Sequence, residues 1–309
     1  MTFVLYCDRI HTKEVRCLNM SMYTGFYKNM KEFGIECAAD LARRSGFESV
    51  EMLEIREARL VPDEKSAMLV KNALDDRGLA TSCYSFAVDI IPFDIQGNIL
   101  GGTEKAEKLT IDAAKIAKTL GTKFFHHTLV TNLRPDLHRL KPEYDRVLHT
   151  LISAAARIAE ECNDMGLTVL YEPQGFYVNG SDNFGKFYFV MKRLGYDVGV
   201  CGDMANTLFV DEPPVEFYRN FVSEFRHVHL KDYALPGKMS DPQKKCLFSI
   251  GGNAYSETFP GEGTVDFNGC MNILKSAGYN GALSFEISGF GGDPEEENRR
   301  IIEKVSEYF

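Results

Sequence analysis

Four short apolar segments in the second half of this 309-residue chain each end on side chains able to bind a cation or move a proton. TVLYEPQG carries Glu172, VGVCGDMAN carries Asp203, RHVHLKD carries His227 and His229, and ALSFEIS carries Glu286. A charge that follows an apolar strand is costly to bury without a partner. Three carboxylates converging on one mouth without a counter-charge also raise one another's pKa values. A divalent cation resolves both conflicts, and an oxygen-rich set with one imidazole suits Mn2+, Mg2+, Co2+ or Fe2+ better than a structural zinc.

The elements that must position these groups follow from alternation. Short β-branched or aromatic runs take turns with longer stretches of helical period. The expected strands are Arg16–Tyr23, Ser49–Ile55, Ala80–Val88, Lys123–Leu129, Thr168–Glu172, Val198–Asp203, Arg226–Asp232 and Ala282–Ile287. Between them, Glu104–Leu120 and Tyr144–Met165 repeat apolar residues at spacings of three and four. Pro294–Phe309 opens with a proline beside an acidic turn, a good helix start. Gly46, Gly78, Gly121, Gly166, Gly195 and Gly278 each stand just before a strand, where a left-handed helix terminus is favoured. Eight strand–helix units predict an α/β fold, a single (β/α)8 TIM barrel spanning residues 1–309. An open doubly wound sheet would usually carry a GxGxxG turn after its first strand, and none is present. Two long connections, about 90–102 and 233–263, leave the C-terminal ends of the third and seventh strands, the face where barrel active sites are built.

Composition narrows the class. With 44% hydrophobic and 26% charged residues the chain is an ordinary globular protein rather than a disordered or fibrous one. Its net charge of −9 argues against a nucleic-acid partner. No run approaches the roughly 18 apolar residues of a membrane helix. The start, MTFVLYCDRIHTK, places Asp8 and Arg9 after a very short apolar run, unlike a signal peptide. Eight cysteines scattered without a CxxC pair read as reduced thiols, so a cytoplasmic location is expected.

The ordered series YEP, GD, HVHLKD, PGEGTVDF (Pro260–Phe267) and SFEIS resembles the xylose isomerase-like sugar isomerase/epimerase superfamily. That group includes ketose 3-epimerases, inosose-processing enzymes and endonuclease IV. The resemblance implies one divalent metal, Mn2+ before Mg2+, Co2+ or Fe2+, held by Glu172, Asp203, His229 and Glu286. It also implies that Glu172 and Glu286 exchange protons with a ketose or keto-sugar on opposite faces, through a metal-stabilised enediolate. Returning the proton to the same carbon with inverted stereochemistry is epimerisation, and returning it to the neighbour is isomerisation. Loss of a β-leaving group from the same species makes a lyase instead, as in inosose dehydration or C-glycoside deglycosidation. Deglycosidases of this kind work with a smaller second subunit, whereas the other relatives imply a homo-oligomer.

The sequence departs from the epimerases in what would hold the substrate. Asn206 stands three residues after Asp203, where ketose 3-epimerases typically carry histidine. Asp232 and Tyr233 follow Lys231 where those enzymes tend to place an arginine. His127, Asn206, Lys231 and Asp232 are therefore the candidate substrate contacts. His126 and His127 point to opposite sides of their strand. Of His227 and His229 only one is expected to face the interior, and the motif selects His229. Phe86 and Phe176 are candidates to stack on a sugar ring. Pro260–Gly263 reads as a turn entering a helix, while His11, His138 and His149 read as surface or packing residues. Two other classes use the same barrel. An endonuclease IV-like enzyme needs three zinc ions and histidines on earlier strands, which SVEMLEI and ATSCYSFAV lack. A non-catalytic sugar-binding barrel would bind without turnover.

Overall fold

The computed structural model describes residues 19–56, 58–94, 99–130, 144–235, 246–287, 289 and 291–309. Seven strands come first: β1 Asn19–Met22, β2 Ser49–Ile55, β3 Ala80–Ala87, β4 Phe124–His127, β5 Thr168–Tyr171, β6 Val198–Asp203 and β7 Phe225–Leu230. Three short strands follow in the long connection: β8 Asp232–Ala234, β9 Leu247–Phe248 and β10 Ala254–Thr258. Strand β11, Ala282–Phe285, closes a parallel barrel in the order β1-β11-β7-β6-β5-β4-β3-β2. Eight helices cover it: α1 Thr24–Ser45, α2 Glu64–Asp75, α3 Glu104–Leu120, α4 Tyr144–Asp164, α5 Gly180–Arg193, α6 Pro214–Phe221, α7 Phe267–Ser276 and α8 Pro294–Ser306.

The expected α/β barrel is thus the observed fold. All six glycines expected at helix ends adopt positive φ, the left-handed conformation that glycine reaches without a Cβ penalty. Residues 16–18 of the expected first strand, residues 95–98 and 236–245 of the long connections, and His11 and His138 lie outside the described residues. His149 is exposed on α4. Among the described residues no helix is long and apolar enough to cross a membrane.

Packing has two sides. Outward residues of the strands, such as Tyr84, Phe125, Val169, Tyr171, Val200 and Val228, bury under the helices in one large core. On α3 the facing set is Ala106, Ala113, Ile116, Ala117 and Leu120, and each fully buried large aliphatic contributes about 1.5–3 kcal/mol. Inside the barrel lies a separate small plug of Cys83, Leu170 and Cys201 with Phe124. Two residues further along the same four strands come Ser85, Glu172, Asp203 and His126. Since side chains alternate along a strand, the plug is the floor on which the polar groups stand.

The connection after β7 is more structured than its Gly-, Pro- and Ser-rich composition suggests. Strands β8, β10 and β9 form an antiparallel sheet beside the barrel mouth.

Candidate metal centre

Glu172, Asp203, His229 and Glu286 each place a ligand atom within 4.8 Å of the other three. Nδ1 of His229 lies 2.9 Å from Glu172 Oε1, 3.1 Å from Glu286 Oε2 and 3.9 Å from Asp203 Oδ2. Glu172, Asp203 and His229 are buried, while the Glu286 side chain remains 27% exposed and faces the mouth. Asp203 ends β6, and its Oδ1 accepts the backbone N–H groups of Ala205 and Asn206 at 2.8 and 2.5 Å. The expected ligand set is therefore brought together by strand ends, at the C-terminal face. Three carboxylate oxygens and one imidazole nitrogen form a donor set that could hold a divalent cation.

Lys231 is the only lysine or arginine with its charge among these carboxylates in the described residues. Its Nζ stands 2.9 Å from both Asp203 Oδ2 and Glu286 Oε2. It does not pair with Asp232. The two glutamates consequently differ. Burial pushes Glu172 up to about 7, further raised by Asp203, although His229 and Lys231 pull the other way. Burial also raises Glu286, but there Lys231 and His229 win and hold it down at about 2. Of the two, Glu172 is the more readily protonated and Glu286 the more firmly ionised.

The candidate substrate contacts divide. Asn206 is at the site: its Nδ2 donates to Glu172 Oε1 at 3.1 Å. Asp232 is not a substrate contact but a structural anchor. Its carboxylate accepts the backbone N–H groups of Tyr233, Gly261, Gly263 and Val265, at 2.8, 2.9, 2.9 and 3.1 Å. The PGEGTVDF turn wraps this carboxylate on its way into α7. A Cβ on Gly263 would meet Asp232 Oδ1 at 2.2 Å, so the close approach requires glycine.

The histidines need two corrections. His127 faces outward, its ring packed against Phe125 and Tyr171 and its Nδ1 bonded to the carbonyl of Thr128 at 3.0 Å. The inward member of the pair is His126, whose Nε2 lies 3.6 Å from Glu172 Oε2. His227 and His229 both face the interior. They are two residues apart on β7, and a strand's side-chain period of two places such residues on the same face. Phe86 is buried on the outward side with the guanidinium of Arg59 over its ring, and Phe176 packs against the core.

Two site residues lie outside the sequence motifs. Tyr23, just past β1, stacks on the His229 ring with centroids 4.9 Å apart. Glu51 of β2 is fully buried and reaches both histidines of β7. A charged residue between Val50 and Met52 was the only sequence signal for it.

The family model described as "Xylose isomerase-like TIM barrel" matches residues 39–307. The chain is similar to an inosose dehydratase of Clostridium botulinum (strain Alaska E43 / Type E3), 24% identical over 232 residues, 72% of this chain and 74% of that one. Among solved structures it resembles a D-allulose 3-epimerase from Methylomonas sp. in complex with D-allulose. That match has a TM-score of 0.69 and 15% identity, covering 94% of this chain and 97% of that one. It also resembles a xylose isomerase-like TIM-barrel protein from Mycobacterium smegmatis in complex with magnesium. There the TM-score is 0.67 and the identity 16%, covering 95% and 97%. At such identities the structural likeness establishes the fold alone.

Proposed function

Because the chain belongs to the xylose isomerase-like TIM-barrel family, we propose that it removes and relocates a proton beside the ketone of a small keto-sugar. Glu286 and Glu172 are the proton-moving pair, and Glu172, Asp203, His229 and Glu286 hold one divalent cation, Mn2+ first. The observation that carries this reading is the convergence of Glu172, Asp203, His229 and Glu286, whose ligand atoms lie within 4.8 Å of one another. When bound, such a cation supplies Lewis-acid polarisation of the ketone and its neighbouring hydroxyl.

The chain's own residues supply the rest. Glu286, ionised and open to the mouth, is the base; a positioned carboxylate of this kind is worth roughly 10²–10⁴-fold. Glu172, buried and bonded to Asn206, exchanges a proton with the substrate from its own side of the site. Asn206 fixes Glu172 through Oε1, and Lys231 offers an ammonium to an oxygen of the substrate. Return of the proton to carbon makes the enzyme an isomerase or epimerase.

A second reading ends in loss of a leaving group. The similarity to an inosose dehydratase favours it, as does Asn206, which stands where the epimerases typically carry histidine. The two readings share every residue and differ in product. Incubating the Mn2+-loaded protein with free and glycosidic keto-sugars in deuterated water separates them. Deuterium at a retained carbon supports the isomerase, and released water or aglycone supports the lyase. Tight binding with neither outcome across the panel would overturn both and leave a sugar-binding barrel.

A further inference from the structure

Below the four carboxylate-and-imidazole groups the barrel interior holds one more carboxylate, Glu51, with no access to solvent. Four side chains converge on it. Ser85 Oγ donates to Oε1 at 2.5 Å and Ser284 Oγ to Oε2 at 2.5 Å. His227 Nε2 lies 2.6 Å from Oε2, and His229 Nε2 is shared between both oxygens at 3.1 and 3.2 Å. Together with Cys83 and His227 this carboxylate could in principle ligate a second cation. The hydroxyls argue otherwise, because a carboxylate with a donor on every side is already satisfied by hydrogens. What the arrangement does is dictate where protons sit.

We propose that Glu51 is a positioning residue that fixes the hydrogen positions of two site imidazoles, His229 directly and His126 through Ser85. A carboxylate oxygen accepts, so the hydrogen on His229 belongs to Nε2. Nδ1, 2.9 Å from Glu172 and 3.1 Å from Glu286, is thereby the nitrogen whose hydrogen leaves when a cation takes its lone pair. This is the carboxylate–histidine relation that orients ligands in many metal sites. The second imidazole follows by elimination. Ser85 has one hydroxyl hydrogen, and it goes to Glu51. Its oxygen must then accept from His126 Nδ1, 3.0 Å away. The lone pair of His126 is left on Nε2, a buried atom with no hydrogen-bond partner among the described residues, facing Glu172 Oε2 at 3.6 Å. One carboxylate on β2 thus turns an acceptor nitrogen toward the ligand cluster from β7 and another from β4.

This inference rests on the metal reading proposed above, and the test separates the two. Mn2+ binding to the full chain is measured by calorimetry and by the Mn2+ electron-spin spectrum, for the wild type and for Glu51→Gln. An amide has one acceptor oxygen and two donor hydrogens, so at least two of the four converging donors would face another donor. The expected result is one Mn2+ per wild-type chain and a dissociation constant roughly 10–100-fold weaker in the variant, with a changed spectrum and an unchanged circular dichroism spectrum. Stoichiometric wild-type binding with equal affinity in Glu51→Gln overturns the role of Glu51 alone. No Mn2+ binding by the wild type overturns both readings. Should Glu51→Gln fail to fold, Ser284→Ala carries the same test, since it removes one donor and keeps the charge. A several-fold weaker Mn2+ affinity is then expected, and unchanged affinity overturns the inference.

Discussion

Lys231 Nζ lies 2.9 Å from Oδ2 of Asp203, a carboxylate with no exposure to solvent. The same ammonium meets Glu286 at 2.9 Å, so one cationic side chain neutralises part of a cluster built from three acids. Removing one partner of a buried ion pair leaves an uncompensated charge, at a cost of about 3–5 kcal/mol. Lys231→Met is therefore expected to melt well below the wild type in the presence of a chelator. A divalent cation takes over the lost counter-charge and no longer meets the repulsion of the ammonium. Mn2+ should bind the variant more tightly than the wild type and raise its melting temperature further. Melting curves with and without Mn2+ check both; a variant stabilised less than the wild type by Mn2+ would contradict the electrostatic argument.

Metal affinity should also depend on pH with a definite sign. A cation needs its ligands deprotonated, and Glu172 is raised to about 7 by burial. Below that value most molecules must lose this proton to bind, so affinity rises by roughly tenfold per pH unit for each proton released. Above it the Glu172 contribution levels off. His229 is held well above the usual imidazole range, burial notwithstanding, by Cys201, Glu51 and Glu172, and it adds a second proton. Mn2+ titrations between pH 6 and pH 8 in buffers of different ionisation enthalpy should show tightening with pH and net proton release. A flat profile would remove Glu172 and His229 from the ligand set.

Asp232 gives a prediction of the opposite kind, a large effect on stability with none on the metal. Its carboxylate takes the backbone N–H of Tyr233 and three more, of Gly261, Gly263 and Val265, from the segment that leads into α7. A hydrogen bond to a charged group contributes about 1.5–3 kcal/mol, and several are lost together in Asp232→Ala. A denaturation midpoint lower by at least about 3 kcal/mol in stability is expected, with Mn2+ affinity within twofold of the wild type. Loss of Mn2+ binding in a folded Asp232→Ala protein would return Asp232 to the site itself.

The sequence makes the barrel and its rim legible because both depend on local signals. Strand runs, helical spacing and the glycines at helix ends are set within a few residues. Residues such as Glu172 and Asp203 announce themselves by following apolar strands. Glu51 leaves little trace, since its meaning comes from Ser284 and His229, more than 170 positions away. Tyr23 is hidden for the same reason, its ring defined by a stacking partner on another strand. The role of Asp232 was obscured differently: an acid after a lysine invites a functional reading until the backbone wrapped around it is seen.

The pair His126–His127 is where strand geometry decides between neighbours. Adjacent residues on a strand face opposite ways, and β4 turns His126 inward beside Ser85 and Glu172. His127 is turned outward against Tyr171. Burial depresses both rings, His126 to about 3 and His127 to about 4, so both are neutral at physiological pH and differ only in what they face. His126→Gln should lower turnover of whichever keto-sugar proves to be the substrate by roughly 10²-fold, the low end for disturbing a general acid–base group, because its Nε2 faces Glu172 at 3.6 Å. Mn2+ should still bind, because His126 is not among the four proposed ligands. His127→Gln should leave turnover within about threefold and act instead on stability, by about 1–3 kcal/mol for a buried polar group whose partner at Thr128 is lost. Parallel measurement of kcat, Mn2+ affinity and melting temperature on the two variants checks the assignment. The reverse pattern, with His127→Gln inactive and His126→Gln merely unstable, would place the outward histidine at the chemistry and invert the facing of β4.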